Sequence, residues 1–225
     1  MSLDANYPRL APEAPRNARP EYVLELDDMQ QFIVYGFKER HETRYVLLQI
    51  TDAKAARAWL RAQLPPSQDP RSESPRRKHH VFGATRPRSE DEDKGVRVAL
   101  AFTYLGLKVL GLDEATLSSF VPEFRQGMTE PHRARALGDE GRNSAERWLW
   151  GQWPDGEHPE HQVHVFCAAY AKTKAELAAW TRPSASNGFK EIDTVEATLN
   201  EHEPFGFRDG ISQPYIKGSD KKAEK

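Results

Sequence analysis

With one cysteine, Cys167, in 225 residues, the chain cannot form an internal disulfide. That thiol lies in the apolar run VHVFCAAY, where it reads as a small buried hydrophobe. Charge of one sign is also lacking: 32 Lys and Arg against 34 Asp and Glu leave a net charge of -2. Without a basic surplus there is little to drive phosphate-backbone binding, so no nucleic-acid partner is expected. No apolar run approaches the roughly 20 residues that cross a bilayer, and mean hydropathy is -0.77, so no membrane partner is expected either. Prolines and charges in MSLDANYPRLAPEAPRNARPEY break up the apolar stretch that a secretory signal requires, and no twin arginine is present. Export is therefore not expected, which leaves a cytoplasmic location by default.

Local composition divides what is there. Residues 1–26, rich in Pro, Arg and Glu, read as a flexible leader, and residues 27–218 as the folded unit. Inside that unit, residues 65–95 hold so much Pro, Ser and mixed charge that they read as a long mobile loop. Residues 219–225 read as a solvated charged tail.

Two β-rich runs, QQFIVYGF at 30–37 and RYVLLQIT at 44–51, flank the charged KERHE and predict an opening hairpin. TDAKAARAWLRAQL then predicts a helix with Asp52 at its N-cap and Pro65 and Pro66 as its stop. VRVALAF at 96–102 predicts a strand. Short helical pieces follow in LGLKVLGL and DEATLSSF, the second capped by Asp113, before an irregular segment rich in Gly and Trp. VHVFCAAY at 163–170 predicts a buried strand, and Thr173 and Glu176 have capping-box spacing at the head of KTKAELAAW. A last strand is predicted from Ile192 in IDTVEATL.

Leaving out the opening hairpin, the order is strand, helix, strand, long insertion, strand, helix, strand. Two such halves predict an α+β, ferredoxin-like fold, β-α-β-β-α-β, with an antiparallel sheet and both helices on one face. A Rossmann fold is the competing reading, and the missing GxGxxG at any strand-to-helix turn counts against it.

Near the C-terminus, EHEPFGFRDGISQPYIKG contains Gly206, Asp209 and Gly210 in the pattern GxxDG. Alone, this describes a tight turn between Pro204 and Pro214 as well as it describes a site. His158, His161 and His164 stand at i, i+3 and i+6, a spacing that gathers a divalent metal or simply marks a polar strand entrance. Pro159 breaks any helix there and no fourth ligand is evident, so no metal residue is assigned. His79 and His80 fall in the 65–95 loop and read as surface residues, while His202 takes no role from the motif. Trp148, Trp150 and Trp153 read as packing or, less often, as electron relays.

The runs ALAFTYLGLKVLGL, PEFRQGM, RALGDEG with Trp148 soon after, VHVFCAAY and EPFGFRDGISQP resemble, in order, segments of the dye-decolourising haem peroxidases. The resemblance extends from Gln31 to Gly218. It implies two ferredoxin-like halves with haem b held between them, hydrogen peroxide as oxidant, and small aromatic reductants such as phenols and dyes. Asp209 corresponds to the family's distal acid, which moves a proton between the two peroxide oxygens. Gly206 and Gly210 would let the backbone approach the macrocycle, and Phe207, Arg208 and Ile211 complete the expected cofactor-binding set, with Phe205 a further apolar contact.

In this family the iron-ligating histidine and the distal arginine lie downstream of GxxDG, whereas fifteen residues follow Gly210 here. The expectation is an N-terminal half that lacks the iron ligand and has little activity by itself. Two rivals remain open: a non-catalytic ferredoxin-like interaction module, which as a homo-oligomer would pair through the face normally covered by the second half, and a haem-handling protein resembling the deferrochelatases.

Overall fold

A computed structural model describes residues 29–34, 36–37, 40–63, 95–151, 162–200, 202–203 and 205–208. The 1–26 leader, most of the 65–95 loop and the 219–225 tail lie outside the described residues.

The elements run α1 (Gln31–Val34), β1 (Glu42–Ile50), α2 (Ala53–Gln63), β2 (Arg97–Phe102), α3 (Tyr104–Val109), α4 (Glu114–Ser119), α5 (Pro122–Gln126), α6 (Pro131–Leu137), β3 (Val165–Ala171), α7 (Lys174–Ala179) and β4 (Phe189–Thr198). The four strands form one sheet in the order β2-β3-β1-β4, and every neighbouring pair is antiparallel. This is the α+β, ferredoxin-like arrangement expected from the order of elements, with the segment from α3 to α6 as the insertion.

Alternation along the strands separates the two faces of the sheet. Val46, Leu48 and Ile50 of β1 and Val165, Cys167, Ala169 and Ala171 of β3 are buried on one face. There they meet Ala56 of α2, Leu177 of α7 and Phe189, whose ring stands edge-on to Trp59 at 5.5 Å. Cys167 has no exposed surface, and burial pushes its thiol up to about 12. The other face carries Tyr45 and Leu47, Phe166 and Tyr170, Ala99 and Ala101, and Asp193 and Val195, as the strand registers require. No helix covers it in the same way: Val195 is 52% exposed and Phe166 36%. Strand β3, expected to be buried, is buried along its length except at Phe166 and half-buried Tyr170, since Ala168 on this second face is 1% exposed.

Local signals account for the helix starts. Asp52 accepts hydrogen bonds from the N–H groups of Lys54 and Ala55 at 2.8 and 3.1 Å. Thr173 and Glu176 close the predicted capping box at the head of α7. Asp113 caps α4, and the Thr116 N–H and hydroxyl that it accepts hold its carboxyl below the ordinary value.

Two expectations are corrected. Residues 31–34 form a helical turn in place of the first strand of an opening hairpin. The cause lies outside the segment: the Gln30 amide donates to the Leu100 carbonyl at 2.7 Å and accepts from the Leu100 N–H at 2.8 Å. One side chain thus supplies, on the terminal strand β2, the pairing that a further strand would have supplied, while Phe32 and Phe37 turn onto Tyr170. The segment expected to be irregular contains α5 and α6. Each begins with Pro at its first position and stops at a glycine, Gly127 or Gly138, of positive φ.

Candidate functional site

The GxxDG segment begins as a tight hairpin beyond β4. His202 and Arg208 pair in antiparallel fashion, the Glu203 N–H donates to the Phe207 carbonyl at 2.8 Å, and the Gly206 N–H donates to the Glu203 carbonyl at 2.8 Å. The turn needs Gly206 at φ +86°, a conformation that L side chains rarely adopt. No atom lies within 4 Å of where a Cβ would stand, so conformation is sufficient reason for glycine in this hairpin. Phe205 and Phe207 are 88% and 70% exposed, and Arg208 is exposed beside them. Asp209, Gly210 and Ile211 lie outside the described residues.

Two phenylalanine rings held outward on a pinned backbone form an apolar surface without a partner among the described residues, of the kind that marks a binding face. Their chemistry fits the flat apolar face of a porphyrin. The described histidines do not fit its metal. His41, His132 and His202 are exposed on separate segments, and the Nδ1 of buried His164, 4% exposed, accepts the Ile50 N–H at 3.0 Å. Desolvation holds the His164 imidazole below its ordinary value, and its Nε2 is enclosed without a partner. His158 and His161 lie outside the described residues, among which no cluster of three or more His, Cys, Asp or Glu is placed to hold a metal ion.

A second feature, absent from the sequence reading, is an apolar cavity of about 640 Å³. Its walls include Leu47, Phe102, Phe124, Met128, Trp150 and Phe166. Beside it the register between β1 and β4 shifts between Leu47 and Leu48, and Asp193 stands opposite Leu47 on the open face. There Asp193 accepts the Trp150 indole N–H at 3.2 Å. Trp148 also lines the cavity and donates its indole N–H to the Asn143 carbonyl at 3.0 Å. Two of the three tryptophans singled out from the sequence thus form cavity wall, and Trp153 lies outside the described residues. No periodicity could have joined these residues, because they come from separate strands, helices and loops.

Comparison with known proteins gives a consistent picture. A family model described as "DyP dimeric alpha+beta barrel domain" matches residues 28–199. No curated protein matches the chain. Among solved structures, the chain is similar to a dye-decolorizing peroxidase variant in complex with cyanide, at 19% identity and TM-score 0.62 over 89% of this chain and 41% of that one. It is similar to a dye-decolorizing peroxidase in complex with 2,6-dimethoxyphenol, at 20% identity and TM-score 0.60 over 89% and 41%. It is also similar to a fungal DyP-type peroxidase from Auricularia auricula-judae, at 18% identity and TM-score 0.55 over 86% and 38%. At these identities the likeness shows a shared fold, and the chain spans about 40% of the length of the structures it matches.

Proposed function

The chain belongs to the DyP peroxidase family, and on that premise we propose that it serves a haem-dependent peroxidase, with the hairpin from His202 to Arg208 facing the porphyrin and Asp209 as proton carrier. The observation that carries this reading is the hairpin itself, which exposes Phe205 and Phe207, four and two positions before Asp209 in the sequence, on a backbone pinned by two hydrogen bonds of 2.8 Å. Haem, when bound, supplies the two-electron reduction of peroxide, and the protein's share is orientation and proton handling. Phe205, Phe207 and Ile211 would rest on the apolar ring, and Gly206 and Gly210 would shape the loop beside it. Arg208 would add a positive charge near the cofactor's acidic groups. The Asp209 carboxylate would accept a proton from one peroxide oxygen and return it to the other as water leaves. The iron ligand is to come from outside the described residues. Small aromatic reductants such as phenols would then be the electron donors.

Haem titration of the full chain tests this, with imidazole added as iron ligand and the Soret band as readout. Burying one phenylalanine is worth about 1.5–3 kcal/mol, so a Phe207→Ser variant should bind haem roughly ten- to a hundredfold more weakly. Equal affinity of the two proteins would place haem elsewhere.

A second reading concerns assembly and is favoured by the open sheet face. Val195, Phe166 and Ala101 are exposed on strands that are otherwise paired, which suits a second α+β unit stacked sheet to sheet. Sedimentation should show concentration-dependent association that Val195→Glu reduces. A protein monomeric at every concentration would refute pairing between copies.

A further inference from the structure

We propose that the outer edge of β2 is a strand-pairing surface for a second copy of this chain, and that the Gln30 side chain holds it shut. This surface is a row of main-chain groups at the rim of the sheet, separate from the open face. No residue of the 202–208 hairpin takes part, and haem has no role in it.

A sheet edge presents N–H and C=O groups on which another chain can build, and proteins blunt such edges with charge, proline or a bulge. The two edges of this sheet are β2 and β4. Strand β4 is blunted along its length, since it carries Lys190, Glu191, Asp193 and Glu196 and its register against β1 shifts between Leu47 and Leu48. Strand β2 has none of these devices. Its sequence, RVALAF, holds no acid, lysine or proline, its one charged residue, Arg97, is 5% exposed, and its pairing with β3 runs without a shift from Arg97 to Phe102. Short apolar segments of low charge and without proline are those that add strand to strand.

Gln30 stands where such a strand would enter. Its amide donates to the Leu100 carbonyl at 2.7 Å and accepts the Leu100 N–H at 2.8 Å, which is the exchange made by a hydrogen-bonded residue pair in an antiparallel ladder. The segment that follows is anchored at the same end of the sheet. Phe32 and Phe37 pack on Tyr170 at 5.5 and 5.1 Å, and Nε and Nη2 of Arg40 donate to the Gly95 carbonyl, just ahead of β2, at 3.3 and 3.1 Å. A second copy offers Leu100 the same donor and acceptor. A two-fold axis there sets Leu100 against Leu100, Val98 against Phe102 and Ala99 against Ala101, so each residue meets one from the same face and no like charges stand opposite. Such a pair would make roughly six main-chain bonds. The Gln30 bonds are intramolecular and carry no association cost, which keeps the edge closed while the amide is present.

Sedimentation and residue-resolved amide exchange of the full chain test this, in a Val195→Glu background chosen to remove association through the open face. In that parent protein the Leu100 amide should be protected at a rate independent of protein concentration. Adding Gln30→Ala should speed Leu100 exchange at least about fivefold in dilute solution, the factor that one lost hydrogen bond produces. As concentration rises a dimer should form, with protection regained at Leu100 and Val98. Gln30→Glu also loses a bond, but its carboxylate accepts the Leu100 N–H and sets a charge on the edge, so it should stay monomeric. A Gln30→Ala protein that is monomeric at every concentration, or that dimerises without protecting Leu100, would overturn the proposal. Equal association of Gln30→Glu would trace dimerisation to lost stability and overturn it too. The parent protein gives a check that needs no change at Gln30, because an unprotected Leu100 amide there would mean that the edge is not closed.

Discussion

Gly106 lets α3 lie close against the backbone of His164, the residue leading into β3, and replacing it with alanine opposes two effects of opposite sign. On helix propensity alone, Gly106→Ala would stabilise by about 1 kcal/mol. The added Cβ, however, would stand 2.1 Å from the His164 carbonyl oxygen and 2.8 Å from its carbon, which are backbone atoms that no rotamer change can move aside. Relief requires α3 to move by about 1 Å, and the start of α3 is what Thr103 ties down. The Thr103 N–H donates to that same His164 carbonyl at 3.1 Å, and its hydroxyl donates to the Val163 carbonyl at 2.9 Å. Overpacking costs about 1–3 kcal/mol, and the two hydrogen bonds about 1 kcal/mol each. Set against the propensity gain, the net loss is about 2–4 kcal/mol, or about 4–16 °C in Tm for a chain of this size. Thermal and urea unfolding of the two proteins measure it. Stabilisation by about 1 kcal/mol, as propensity alone would give, would refute the close approach of α3 to the residue leading into β3.

Other consequences follow from the core. Phe189→Ala removes a ring that is 1% exposed and edge-on to Trp59, and should cost about 3–5 kcal/mol by urea denaturation. A loss below 1 kcal/mol would mean that α2 does not pack there. Because burial pushes the Cys167 thiol up to about 12 from an ordinary 9.0, the unfolded chain loses its proton first, so stability should decline as pH rises from about 9 toward 12. In native buffer at pH 8 a thiol reagent should label Cys167 only after urea is added; rapid native labelling would contradict its burial. His164 runs the other way. Its imidazole is held neutral by burial, the unfolded chain takes up a proton first as pH falls below about 6.5, and stability should fall with it. His164→Gln should flatten that acid limb, and an unchanged pH profile would show that His164 is protonated in the folded chain.

How much of this was legible in the sequence depends on how far apart the deciding atoms lie. The capping box of Thr173 and Glu176 spans three residues, as do the caps at Asp52 and Asp113, and all three were readable. The β-rich run RYVLLQIT at 44–51 identified β1, and the order of elements was enough for the ferredoxin-like sheet. The turn at 31–34 was not readable, because its conformation follows from an amide pairing between Gln30 and Leu100, seventy positions apart. Helices α5 and α6 did carry local signals in Pro122, Gly127, Pro131 and Gly138, but the Gly and Trp content of the wider segment masked them. The GxxDG segment divides from the cavity in the same way. The tight turn at Gly206 was legible from the motif, whereas the cavity's walls come from separate strands, helices and loops, and the Trp150 indole meets Asp193 from 43 positions away.

Asp209 as proton carrier is the claim on which the chemistry turns. The direct measurement is the rate of peroxide consumption by the haem-loaded chain with imidazole as iron ligand, compared with its Asp209→Asn variant. Positioned general acid–base groups contribute about 10²–10⁴-fold, so the variant should be slower by that factor while binding haem with unchanged affinity. Equal rates in the two proteins would contradict the assignment.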